Sequence, residues 1–156
     1  MLRVPELRQV IEMTTSVRDR DVTAETGLRR AAQAGYRWLL LVFLLAVAVQ
    51  IFLAGLGAFS LGNGDRSGGD HAFSVHQGLG FAIAGVSILI LALAIAARAG
   101  RLALWLAGAL VVQTCLLQSL LDGLAGNTAV FGGLHALDGL LIAASAGAQY
   151  ALARRR

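Results

Sequence analysis

The sequence predicts an all-α fold: an integral membrane four-helix up-down bundle with both termini cytoplasmic. Three observations carry this. First, 57% of the 156 residues are hydrophobic and only 14% are charged, against roughly 25% charged in an ordinary soluble domain. Second, four apolar runs, at about 38–59, 75–97, 102–121 and 134–153, each hold about 20 residues or more, enough to cross a hydrocarbon core of roughly 30 Å. Third, all 13 basic residues are arginine, and all but Arg66 lie in residues 3–37, 98–101 and 154–156. Spanning segments must satisfy their own backbone, so helix is the assignment for all four runs.

The elements follow in order. Residues 1–35 are polar and mixed in charge, and are expected to form a cytoplasmic tail, partly disordered and becoming helical after Thr26. Met13 is a candidate alternative start to Met1. Residues 36–156 make up the transmembrane domain. Between its first two helices, residues 60–74 (SLGNGDRSGGDHAFS) are rich in Gly, Asp and Ser and read as a polar loop. Arg98-Ala99-Gly100-Arg101 makes a very short turn, and residues 122–133 a second loop without a basic residue. The arginine-poor loops therefore face outside, by the positive-inside rule. A net charge of +4 and a pI near 10.6 would suggest nucleic acid in a soluble protein. Placed at membrane flanks, the charge instead names the lipid bilayer as partner, with no nucleic acid. The expected location is the cell (inner) membrane.

Walker, HExxH, cysteine-cluster and nucleophile-elbow signatures are missing from the sequence, and no catalytic residue is assigned. Lone Cys115 lies in an apolar run and reads as a small core residue. The few polar residues inside the spans are the functional candidates, because ionisable groups are costly there. Two histidines stand out. His76 lies 22 residues before Arg98 and His135 lies 19 before Arg154, roughly 33 and 29 Å at 1.5 Å per residue. Both are placed near the outer edge of the hydrocarbon. Both open the pattern His-x-x-x-Gly, reaching Gly80 and Gly139. Gln50 and Gln113 precede them by 26 and 22 residues, which reads as a weak internal repeat of two hairpins.

Below each histidine, a column at i+4 spacing holds mostly small residues: Gly80, Ala84, Ile88, Ala92 and Ala96, and Gly139, Ala143, Gly147 and Ala151. Such columns allow close helix packing. Alternatively they leave room for a flat cofactor, haem b, held through His76 and His135 as iron ligands, with Gly80 and Gly139 beside it. Asp138 lies one turn below His135, where it would orient the imidazole or hold a proton. Gln50 and Gln113 read as interhelical hydrogen-bond partners supporting the site.

The run Gln50-Ile-Phe-Leu-Ala-Gly-Leu-Gly, the motif His76-Gln-Gly-Leu-Gly and the motif His135-Ala-Leu-Asp-Gly-Leu-Leu-Ile carry a resemblance over about residues 36–154. The chain resembles an actinobacterial family of small four-helix membrane proteins of unknown function. More remotely it is similar to one half of the haem A synthase family, which places a histidine at the outer end of the second and fourth helices. By that resemblance His76 and His135 match haem-facing positions. Ala72 and Phe73 stand where the synthases carry a glutamate, so haem binding is implied without synthase activity. The functional expectation is electron relay or haem handling. The alternative is a cofactor-free structural or assembly partner of other membrane proteins, or a homo-oligomer. A small transporter is a third reading, for which only Asp138 speaks.

Overall fold

The structure is a computed structural model that describes residues 4–126 and 128–155, with side chains placed from residue 25 onward. Met1, Arg3 and Arg156 lie outside the described residues. Four helices occur among the described residues: α1 (Val4–Gly62), α2 (Arg66–Ala96), α3 (Arg101–Ala125) and α4 (Ala129–Arg154). No strand occurs among the described residues. Each helix is long and apolar enough to cross a membrane, and the apolar side chains they leave exposed, among them Trp38, Phe52, Phe81 and Trp105, are suited to lipid.

The helices are longer than the apolar runs predicted. The expected loop 60–74 shrinks to residues 63–65, because Asp65 caps α2: its carboxylate accepts the Gly68 N–H at 2.9 Å. Gly64 (φ +85°) supplies the left-handed step that reverses the chain. Gly, Ser and Asp read as a loop from composition, yet here they form the first two turns of a helix. The expected loop 122–133 likewise contracts, with helix running to Ala125 and again from Ala129. At the other end of the chain α1 begins at Val4, well before the Thr26 start expected. Pro5 sits in its first turn, where a missing N–H costs nothing.

The turn between α2 and α3 joins the two helix pairs tightly. Arg98 N–H bonds the Ile95 carbonyl at 3.0 Å and Ala99 N–H the Ala94 carbonyl at 2.9 Å, the double bond of a Schellman cap. Its left-handed position is filled by Arg98 (φ 52°) rather than glycine, a choice that costs about 1–2 kcal/mol. Arg98 in exchange reaches Glu25 of α1 at 2.7 Å, an exposed pair worth at most about 1 kcal/mol.

Each helix packs on its two neighbours in the ring α1–α2–α3–α4, and neither diagonal pair brings described Cα atoms within 8 Å. All four helices present buried residues at one spacing, four then three then four. These are Tyr36, Leu40, Phe43 and Val47 on α1, and Ile83, Ser87, Ile90 and Ala94 on α2. On α3 they are Ala103, Ala107, Leu110 and Thr114, and on α4 Ile142, Ala146, Gln149 and Ala153. That heptad-like seam is the geometry of a left-handed bundle. It also corrects the predicted i+4 columns. Four residues turn a helix by 400°, so an i+4 row drifts about 40° per step. The column below His76 therefore leaves the core: Ile88 is 52% exposed and Ala92 and Ala96 are exposed.

Two polar pairs cross this core. The Tyr36 hydroxyl donates to Gln149 Oε1 at 3.0 Å, and Ser87 Oγ lies 2.8 Å from Thr114 Oγ1. Tyr36 is 3% exposed and belongs to the core.

Candidate functional site: a histidine pair above a carboxylate

His76 and His135 each lie seven residues before a core residue, Ile83 on α2 and Ile142 on α4. One heptad separates each pair, so the shared seam carries both histidines to the same level and points them inward. α2 and α4 are diagonal in the bundle, yet the two imidazoles meet: their ring centroids are 6.1 Å apart at an interplanar angle of 51°. Phe73 adds an edge-on contact to His76, 6.4 Å between centroids at 84°.

Each histidine is supported by a glutamine from the preceding helix. Gln50 Nε2 of α1 donates to the His76 carbonyl at 2.7 Å, and Gln118 Nε2 of α3 to the His135 carbonyl at 3.1 Å. A carbonyl can only accept, so both amide orientations are fixed. Below His76 the glycine makes room for that glutamine, whereas below His135 a methyl would make an ordinary contact. A Cβ on Gly80 would stand 3.2 Å from Gln50 Nε2, and one on Gly139 would stand 4.0 Å from Gln118 Nε2.

The predicted repeat thus exists as geometry, with one change of partner: Gln118, not Gln113, corresponds to Gln50. The cause is a π-helical turn, Gln113–Leu117, inside α3, where the Gln118 N–H bonds back to the Gln113 carbonyl. This inserts one residue into the helix. Residues five apart lie about 140° apart around an α-helix; the wider turn brings them onto one face. Gln113 and Gln118 therefore both reach Asp138. Gln113 Nε2 donates to Oδ1 at 3.4 Å and Gln118 Nε2 to Oδ2 at 3.1 Å. Gln113 Oε1 in turn accepts from Ser145 Oγ at 3.4 Å. Asp138 is 3% exposed. Its recorded hydrogen bonds are to these amides rather than to the His135 ring.

The two imidazoles differ in their remaining bonds. His76 Nδ1 donates to the Gln50 carbonyl at 3.0 Å, which leaves Nε2 with its lone pair when the ring is neutral. His135 Nδ1 is buried without a partner, as is Gln50 Oε1. His71, in the first turns of α2, is exposed. Gln118 is a functional residue that the sequence motifs do not single out. Gln50 follows the seam residue Val47 by three positions and Gln118 follows Thr114 by four, and the inserted residue accounts for the difference.

Neither a curated protein nor a solved structure matches the chain. The model of a family of unknown function (DUF6220) matches residues 50–124, a stretch that opens on Gln50, includes His76 and Gln118, and stops short of His135; over that stretch the chain is similar to this family.

Proposed function

We propose that this is a multi-pass inner-membrane protein that holds one b-type haem between His76 and His135 near the outer face, for electron relay or haem handling. The observation that carries the reading is the 6.1 Å separation of the two imidazole centroids. Two imidazoles that share one metal at about 2 Å per nitrogen have ring centres roughly 6 Å apart. The donor set favours haem over a bare ion. No group of three His, Cys, Asp or Glu is placed to share a metal among the described residues, whereas haem brings four nitrogens and asks the protein for two.

The surrounding bonds suit ligation. A ligating histidine ordinarily donates its other N–H to a carbonyl or carboxylate, as His76 does to Gln50. Gln50 and Gln118 fix the backbone at each ligand, and Gly80 admits Gln50. Bound haem would supply reversible one-electron chemistry. The arginine clusters support cytoplasmic termini and an outward-facing site.

The test is the visible spectrum of the detergent-purified chain after haem supplementation. A Soret band that His76→Ala and His135→Ala abolish or shift is expected. Its absence, or its indifference to both substitutions, rejects the reading. The other reading, a cofactor-free partner of membrane proteins or of a second copy, is favoured by exposed Gly78 and Gly85 on α2, where a Cβ would meet nothing within 4 Å. Stoichiometric co-purification of one membrane protein with a haem-free chain would support it.

A further inference from the structure

Resting on the haem reading, we infer that the two histidines are unequal: His76 would be the anchored ligand and His135 the exchangeable one, on whose side a small neutral ligand would bind. Three restraints act on His76. Its Nδ1 donates to the Gln50 carbonyl at 3.0 Å, its own carbonyl accepts the Gln50 amide at 2.7 Å, and Phe73 stands edge-on to its ring. His135 keeps only the backbone restraint, from Gln118 at 3.1 Å. Its ring Nδ1 is buried with no acceptor, since the carbonyl of Gln118 does not serve it as that of Gln50 serves His76.

The difference has two chemical consequences. A hydrogen bond from Nδ1–H raises the basicity of the imidazole and fixes its plane, and losing such a partner commonly weakens metal binding by about 10–100-fold. A buried N–H with no acceptor is also relieved when the ring swings toward one, so the same atom that weakens His135 as a ligand favours its release. The probe for the vacated position is carbon monoxide, a small neutral ligand of ferrous haem. Being neutral, it needs no charge compensation from the protein.

The experiment uses the full chain, loaded with haem and reduced, with helicity and monodispersity checked for every variant. Wild type is expected to show a carbon monoxide shift of its Soret band. His135→Ala should retain haem and take carbon monoxide at least tenfold faster, whereas His76→Ala should bind haem at least tenfold more weakly than His135→Ala. His135→Gly with added imidazole provides a second readout: the wild-type spectrum should return, and more readily than for His76→Gly. Equal haem loss in the two alanine variants, the reverse order, or a wild type inert to carbon monoxide would overturn the inequality while leaving haem binding intact. No Soret band in any form would instead remove the haem reading on which the inference stands.

Discussion

The hairpins α1–α2 and α3–α4 use one packing frame to different ends. In both, buried residues follow the same four-three-four spacing, a glutamine amide holds a histidine carbonyl, and a glycine lies four residues beyond that histidine. The first hairpin stops there. Its residue three beyond the histidine is Leu79, which packs on the core. The second hairpin has Asp138 at that position and a π-turn in the facing helix that delivers two amides to it. The carboxyl and the extra residue belong together. Without the π-turn, Gln113 and Gln118 would point to different sides of α3 and Asp138 would keep at most one donor. The lesson is that a buried acid in a membrane helix is accommodated by rebuilding its neighbour's backbone register, and that the cost to the ring above it is the missing Nδ1 partner of His135.

The widest separation between the hairpins is expected from their glutamines. Gln118→Leu takes the second donor from the His135 carbonyl, which keeps its partner within the helix, and leaves buried Asp138 with one long bond, a loss of about 2–4 kcal/mol. Gln50→Leu removes one amide donor and also an unpartnered buried oxygen, so about 1 kcal/mol is expected, in line with interhelical hydrogen bonds in membranes. Reversible unfolding in mixed micelles measures both. Equal losses would break the comparison at its base.

A second test makes the later hairpin resemble the earlier one. Asp138→Leu places the counterpart of Leu79 on α4. In the Gln118→Leu background it removes a stranded buried carboxyl and should recover most of the stability lost, with a coupling of about 1–3 kcal/mol in the double-mutant cycle. Additive effects would show that the amides and the carboxyl do not act as a unit.

Much of this architecture can be read from residue order alone. Hydropathy runs locate four helices because lipid forbids unsatisfied backbone, and His76 and His135 stand out because polar groups are rare in such runs. Two features are hidden for physical reasons. Helix ends outside the hydrocarbon are set by caps such as Asp65 and by tight turns, which apolar content does not report. The Gln118–Asp138 contact depends on an inserted residue that no periodicity marks, since QTCLL has the composition of any α-helical turn in a membrane. The i+4 columns also mislead, because they ignore the 40° drift that carries Ile88 toward lipid while Ile90 stays at 0% exposure.

The smallest expected effect falls on the two glycines, and it separates the hairpins by the difference between a 3.2 Å and a 4.0 Å contact. Alanine is the better helix former by up to about 1 kcal/mol. At Gly139 the added methyl would meet Gln118 Nε2 at 4.0 Å, an ordinary contact. Gly139→Ala should therefore raise the melting temperature slightly and leave haem retention unchanged. At Gly80 the methyl would stand 3.2 Å from Gln50 Nε2, the atom that donates to the His76 carbonyl at 2.7 Å. The amide must give way, at about 0.5–1.5 kcal/mol if its rotamer is forced. Gly80→Ala should therefore gain nothing in stability and should weaken haem retention, because Gln50 is what fixes His76. If Gly80→Ala were instead the more stabilising of the two, the Gln50 clamp would be looser than its distances indicate, and His76 would lose its claim to be the better-held ring.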